Sequence, residues 1–200
     1  MLRPFAFLST IALMSASAAN AATVQFFDLP DTRFKNPDAV TTTGDVRQNV
    51  TRTWPWFANP WPTASADPNK DPTAWFTGIG ANASATYAFD LSGGVSFVWG
   101  TPDYYNRIEF LLGDTVVDRF QLNASYDLSP ASRRNGAALA VFSNIAGGVF
   151  DGMRMSSPRI SFEFANLTTS PPVAPIPLPA GGALLLTALG GLAIARKRKA

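Results

Sequence analysis

Apolar side chains recur at every second position in short runs, and this period of two restricts the chain more than any other feature it has. Ala85, Tyr87 and Phe89 form one set, Val95, Phe97 and Trp99 a second, Ile108, Phe110 and Leu112 a third, and Phe162 and Phe164 a fourth. A strand points successive side chains to opposite faces, so this alternation makes one apolar face and one polar face, whereas a helix needs a spacing near 3.6. The predicted strands cover 23–28, 74–77, 85–89, 95–99, 106–112, 115–122, 137–142 and 160–164, with Gly113-Asp114 as a hairpin turn. Residues 30–73, rich in Pro, Thr, Asn and Asp, read as loop, and a short helix over 129–135 is weakened by Pro130. Strands spaced about 8–12 residues apart predict a mainly β fold, an antiparallel β-sandwich of jelly-roll-like form.

Packing alone must hold such a sandwich together. The sequence has no Cys and no His. That excludes disulfides, thiol nucleophiles, His-dependent triads and imidazole metal sites. Fifteen Phe, five Trp and four Tyr supply large side chains to bury instead. The formal charge of +2 is concentrated at the ends, since Arg3 and residues 196–199 hold five of the 16 basic residues. The other 11 face 14 acidic residues, a balance of −3. No electrostatic argument for nucleic-acid binding remains.

Both ends depart from the strand pattern. Arg3, an apolar run from Phe5 to Met14, and the small residues Ala19-Asn20-Ala21 have the three parts of a secretory signal peptide. Cleavage is expected before Ala22, or one residue later, and the expected partner is Sec-type export machinery. At the other end, five prolines between Ser170 and Pro179 make a stiff spacer, Ala180 to Ala195 is uncharged and almost wholly apolar, and Arg196-Lys197-Arg198-Lys199 closes the run. Sixteen helical residues reach about 24 Å. Counting from Ile176 brings the stretch near the roughly 30 Å of a bilayer core. Leu184, Leu185, Leu186, Leu189, Leu192 and Ile194 leave such a helix no polar face. The basic cluster should stay cytoplasmic, leaving the domain outside the cytoplasmic membrane. The expected layout is a signal helix at 1–21, a sandwich domain at 22–169, a Pro-rich linker at 170–179, and a sorting segment at 176–200 containing a transmembrane helix at 180–195.

Pro177-Leu178-Pro179-Ala180-Gly181-Gly182, an apolar stretch and a basic cluster, in that order, resemble the VPLPA-CTERM sorting signal, a relative of the bacterial PEP-CTERM tails. Ile176 stands in place of the usual leading Val. The resemblance implies that an exosortase-like membrane protease or transpeptidase recognises Pro177, Leu178, Pro179, Ala180 and Gly181 as substrate, and that the protein passes on to the cell surface or its matrix. Inside the domain, Phe97 to Asn106, leading into Ile108-Glu109-Phe110, resembles the W-G-S-x-D-x-Y-N segment of one group of PEP-CTERM surface proteins, with Thr101 for Ser. Ser156 to Asn166 is similar to their closing strand S-S-x-x-x-F-E-x-D-N, with Ala165 where Asp is common. These resemblances imply an exported, surface-sorted structural or matrix-associated protein; with no Cys and no His, no enzyme is expected.

The domain offers few candidate sites. Trp54, Trp56 and Trp61, interleaved with Pro55 and Pro62, can either stack on the sugar rings of an extracellular polysaccharide or fold back as a lid over the sheet. The loop from Trp99 to Asn106 brings Asp103 and Asn106 together, either as a small-ligand or cation site or as a turn capped by its own side chains. Asp67, Asn69 and Asp71 alternate as in a calcium loop, but Pro72 and Gly78 stand where an EF-hand needs Gly and Glu, so no metal and no cofactor is expected. A glycosidase-like carboxylate pair finds no support, because Glu109 and Glu163 both alternate opposite an apolar face and are expected to point to solvent.

Overall fold

The computed structural model describes residues 22–61, 71–122 and 136–172. The signal peptide with Ala19 and Ala21, the sorting motif at 177–181, the apolar stretch at 180–195, the short helix expected at 129–135, and Asp67 and Asn69 lie outside the described residues. Among the described residues, no helix is long and apolar enough to cross a membrane.

Eleven strands run through the described residues: β1 (Thr23–Phe27), β2 (Thr41–Thr43), β3 (Val46–Val50), β4 (Phe76–Ile79), β5 (Ala83–Ser92), β6 (Gly94–Trp99), β7 (Arg107–Leu112), β8 (Thr115–Gln121), β9 (Ala138–Ser143), β10 (Phe150–Ser157) and β11 (Phe162–Ser170). They form two antiparallel sheets, one six-stranded in the order β1-β9-β6-β11-β4-β3 and one five-stranded in the order β2-β5-β10-β7-β8. The expected β-sandwich architecture is present.

The alternation read from the sequence becomes the core between the sheets. Phe97, Trp99, Phe142, Phe162 and Phe164 from the six-stranded sheet meet Tyr87, Ile108, Phe110, Phe120, Met153 and Met155 from the five-stranded one, all buried. Phe97 lies 5.6 Å from Phe142 and 5.7 Å from Trp99 between ring centroids, and Trp99 stacks on Phe162 at 4.9 Å. Burying one such side chain contributes roughly 1.5–3 kcal/mol, so this aromatic ladder replaces what disulfides would otherwise supply.

A second, smaller cluster lies on the other face of the six-stranded sheet. Val98, Phe76 and Ala165 turn away from the main core and are covered by Phe57, Trp61 and Ala74 from the connection between β3 and β4. This explains why β4 is buried along its whole length, and β11 from Phe162 to Leu167. Where the lid lies, the sheet has no solvent face.

Three strands are not apparent from the sequence. β2 and β3 lie within the segment expected to be loop, and β10 occupies the middle of the five-stranded sheet between β5 and β7. β10 carries Gly152 at a point where its register with β5 shifts, and Arg154 on its outward side, so its pattern of apolar residues is broken. Leu112 also departs from expectation. It is 41% exposed at the end of β7, beside the point where β8 carries Val117 as an extra residue between the Phe110–Asp118 and Leu111–Val116 pairs. The turn itself is as expected, with Gly113 at φ 57°.

Two further register shifts involve asparagines. Asn49 (φ 50°) and Asn166 (φ 54°) take left-handed conformations within the irregular stretches of β3 and β11, a region Asn tolerates better than most residues. Their side chains hold the connection between β1 and β2 in place. Asn49 Oδ1 accepts from the Asn36 amide at 2.8 Å, Asn166 Oδ1 accepts from the Phe34 amide at 2.9 Å, and Asn166 Nδ2 donates to the Thr32 carbonyl at 2.7 Å. The buried Asn36 side chain donates to Thr77 Oγ1 and the Phe164 carbonyl and accepts from the Leu167 amide.

Candidate functional site

The aromatic connection divides its tryptophans between two roles. Trp54 and Phe57 exchange both backbone hydrogen bonds, at 3.0 and 3.1 Å, around a Pro55-Trp56 tip. Proline presets the φ that such a tight turn needs at this position. Phe57 then drops onto the sheet against Gly78, where an added Cβ would meet its ring at 2.6 Å. Asn59 stitches the base, donating to the Thr51 and Ala74 carbonyls at 2.9 Å each and accepting from the Trp61 amide. Trp61 is 1% exposed, with the Arg33 guanidinium 4.8 Å from its ring centroid. It is a lid residue with no ring face to offer a ligand. Trp54 is 40% exposed, but Arg47 and Arg52 lie over its ring at 5.2 and 5.8 Å. Of the three candidate glycan-contact residues, Trp56, at 64% exposure, presents the most open surface.

Trp56 borders a groove of about 410 Å³ lined by Asp45, Phe57, Gly80, Ala81, Ile160 and Ser161. Phe57 and Ile160 give it apolar walls, and the Asp45 carboxylate and Ser161 hydroxyl give it polar points. Asp45 Oδ1 also accepts from Arg47 Nε at 2.8 Å. An apolar groove with a few polar groups is the common form of a small-ligand site.

Beside this groove lies Glu163, which corrects the expectation that it points to solvent. It is 1% exposed, because the face opposite the core is itself covered by the lid. Its Oε1 accepts from the Ala58 amide at 3.1 Å, while Oε2 has no hydrogen-bond partner. Burial pushes its pKa up to about 6, against the lowering effects of the Ser161 hydroxyl and the Ala58 amide, and the Asp103 carboxylate adds to the rise.

The two sequence segments that resemble surface-protein motifs meet at this residue. Gly100 donates its amide to the Glu163 carbonyl at 2.7 Å, and a Cβ on Gly100 would lie 2.7 Å from Glu163 Cβ. In the loop after Gly100, the Tyr105 hydroxyl donates to Asp103 Oδ2 at 2.6 Å and the Asn106 amide donates to the Asp103 carbonyl at 3.1 Å. Burial and the Asp103 hydrogen bond hold the Tyr105 hydroxyl well above its usual pKa. Asn106 is fully buried with neither side-chain polar atom paired, and Trp99 Nε1 is likewise buried and unpaired. The loop is capped by its own Asp103, and it also buries polar atoms that its own side chains do not pair.

Glu109 lies on the outer face of the other sheet. It accepts from Arg119 Nε at 2.9 Å and from Arg154 Nε at 2.7 Å, with a second Arg154 contact through Nη2. Burial acts to raise its pKa, but the two arginines outweigh this and hold it below the usual carboxylate value. Asp71, the described member of the Asp67-Asn69-Asp71 set, pairs with Arg33. Among the described residues no group of three or more acidic side chains could hold a metal ion.

Fold and groove together define a β-sandwich protein of two antiparallel sheets with an aromatic lid over one outer face. Compared with protein-family models, with curated proteins and with solved structures, the chain matches none.

Proposed function

We propose that this chain is an exported, surface-sorted structural or matrix-associated protein, anchored or processed through its C-terminal sorting signal. The observation that carries this reading is the order of three parts in the tail: Ile176-Pro177-Leu178-Pro179-Ala180-Gly181-Gly182, an apolar stretch to Ala195, and Arg196 to Lys199. An exosortase-like membrane enzyme is the partner this order implies, with the Sec-type machinery and the cytoplasmic membrane acting earlier. The finer fold reading belongs with it: a signal helix, a transmembrane helix, and a jelly roll between them. Strands β4 to β11 support the jelly roll, because they fall as β4-β11-β6-β9 facing β5-β10-β7-β8, two interleaved Greek keys. Fractionation of cells expressing a tagged chain tests the proposal. Recovery from the surface or matrix fraction is expected, and an intact chain in the cytoplasm would refute it.

A second reading, carbohydrate binding by the domain, is favoured by the exposed Trp56 ring at the edge of the groove. An aromatic face accepts the C–H face of a sugar, while Asp45 and Ser161 can accept or donate to its hydroxyls. Polysaccharide pull-down with Trp56→Ala and Trp61→Ala separates site from scaffold. Trp56→Ala is expected to lose binding at unchanged stability. Trp61→Ala is expected to cost about 3–5 kcal/mol of stability because a buried aromatic is removed. No binding by the unmodified domain would end this reading.

A further inference from the structure

The start of the first strand is held in an unusual way. Ala22 is 6% exposed and packs into the main core. Its backbone nitrogen donates to Asp118 Oδ2 at 2.8 Å, from 96 positions away in sequence. The same oxygen accepts from the Ala146 amide at 2.9 Å, and Oδ1 accepts from the Arg119 amide at 2.7 Å. Asp118 belongs to β8, an edge strand of the five-stranded sheet, and Ala22 leads into β1, an edge strand of the six-stranded sheet. The contact therefore ties the two sheets together at their margins. Thr23, one residue on, is instead paired with Ser143 in the β1–β9 ladder.

We propose that removal of the signal peptide at the Ala21–Ala22 bond turns the Ala22 nitrogen into an ammonium group that pairs with the Asp118 carboxylate, so that processing itself locks β1 onto the sandwich. This rests on the signal-peptide reading and selects Ala22 over Thr23 as the mature start. Hydrolysis of the bond consumes one water, leaves a carboxylate on Ala21 and an amine on Ala22, and the amine takes up a proton at neutral pH. The amide has one N–H to offer, whereas the ammonium has three and carries a full charge. Hydrogen bonds between ionised partners are about twice as strong as neutral ones. The carboxylate is already fixed by the Ala146 and Arg119 amides, so little ordering remains to be done when the charge appears.

The test uses the chain from residue 22 to 200 in detergent, in three forms: a free Ala22 amine, an acetylated Ala22, and Ala21 retained ahead of it. Each is made with the natural Asp118 and as Asp118→Asn, and thermal unfolding is followed. The free-amine form is expected to melt roughly 3–6 °C above the other two, and the gap should close in Asp118→Asn. A gap under about 1 °C, or one of equal size in Asp118→Asn, overturns the proposal. If Asp118→Asn does not fold, the acylation rate of the Ala22 amine decides: slow reaction in the native chain upholds the pair, and reaction as fast as in the unfolded chain removes it. N-terminal sequencing of the exported protein tests the processing reading separately. A start elsewhere would refute that reading while leaving the melting result to judge the ion pair.

Discussion

Glu163 and Glu109 are the chain's only glutamates, and their surroundings push them in opposite directions. Glu163 is desolvated with one oxygen unpaired, so the folded chain holds its proton more tightly than the unfolded chain does. Folding then gains while the proton is on. As pH rises from about 4.5 toward about 6 that gain is lost, and above this range the ionised group costs about 2 kcal/mol relative to the neutral one. Glu163→Gln keeps an oxygen for the Ala58 amide and removes the charge. It is expected to raise stability at pH 7 by about 1–2 kcal/mol and to flatten the slope between pH 4.5 and 6 in urea titrations. A variant less stable than the parent at pH 7 would show that the carboxylate is held by a partner. Glu109 works the other way, because its pairing with Arg119 and Arg154 stabilises the fold above the ordinary carboxylate pKa and is lost as pH falls below it. Arg119 and Arg154 have side-chain exposures of 73% and 42%, so Glu109→Gln should cost under about 1 kcal/mol at pH 7.

The lid acts as one element, and its fit depends on a missing side chain. Gly78 on β4 leaves the space that the Phe57 ring fills, so Gly78→Ala forces the ring up by steric contact. The expected loss is about 1–3 kcal/mol by overpacking, accompanied by a change in tryptophan fluorescence as the lid lifts. Unchanged stability and emission would mean that the lid is not seated on Gly78. This cover also explains which features can be read in the sequence. Period-two alternation belongs to each strand alone, so β5, β6, β7, β8 and β11 and their core-facing Tyr87, Phe97, Trp99, Phe110 and Phe162 are legible. Whether the opposite face meets water depends on a segment over 100 positions away in sequence, since Ala58 covers Glu163. No local pattern reports that, and so the alternation alone sends Glu163 to solvent. β3 and β10 are hidden for a different reason: Asn49 and Gly152 break their periodicity at register shifts. The tryptophan cluster is half legible, because composition locates the lid and only burial separates Trp56 from Trp61.

At the scale of the whole molecule, the processing proposed above requires a sandwich that keeps its fold without its tail. β11 runs between β6 and β4 in the six-stranded sheet, so it is the strand whose loss would damage that sheet most. Its pairing is complete at Ser170, which faces Gly94 while its carbonyl accepts from the Gly93 amide at 2.9 Å. Every described strand pair therefore lies on the domain side of Pro171. A chain ending at Pro172 keeps the ladder, both apolar clusters and the lid, and is expected to melt within about 2 °C of the chain that continues to Ala200. Ending instead at Leu167 deletes the pairs of Thr168, Thr169 and Ser170 with Ser96, Val95 and Gly94. That frays β6 where it supports Phe97, and cooperative unfolding should fall by about 10 °C or more if roughly 3 kcal/mol is lost. Detergent phase partitioning of the same chains adds the second half of the argument. The long form should enter the detergent phase through its apolar stretch, and the chain ending at Pro172 should remain in water. A chain ending at Pro172 that aggregates or melts early would mean that residues beyond it belong to the sandwich, and a sorting signal built from them could not be cut away from a folded domain.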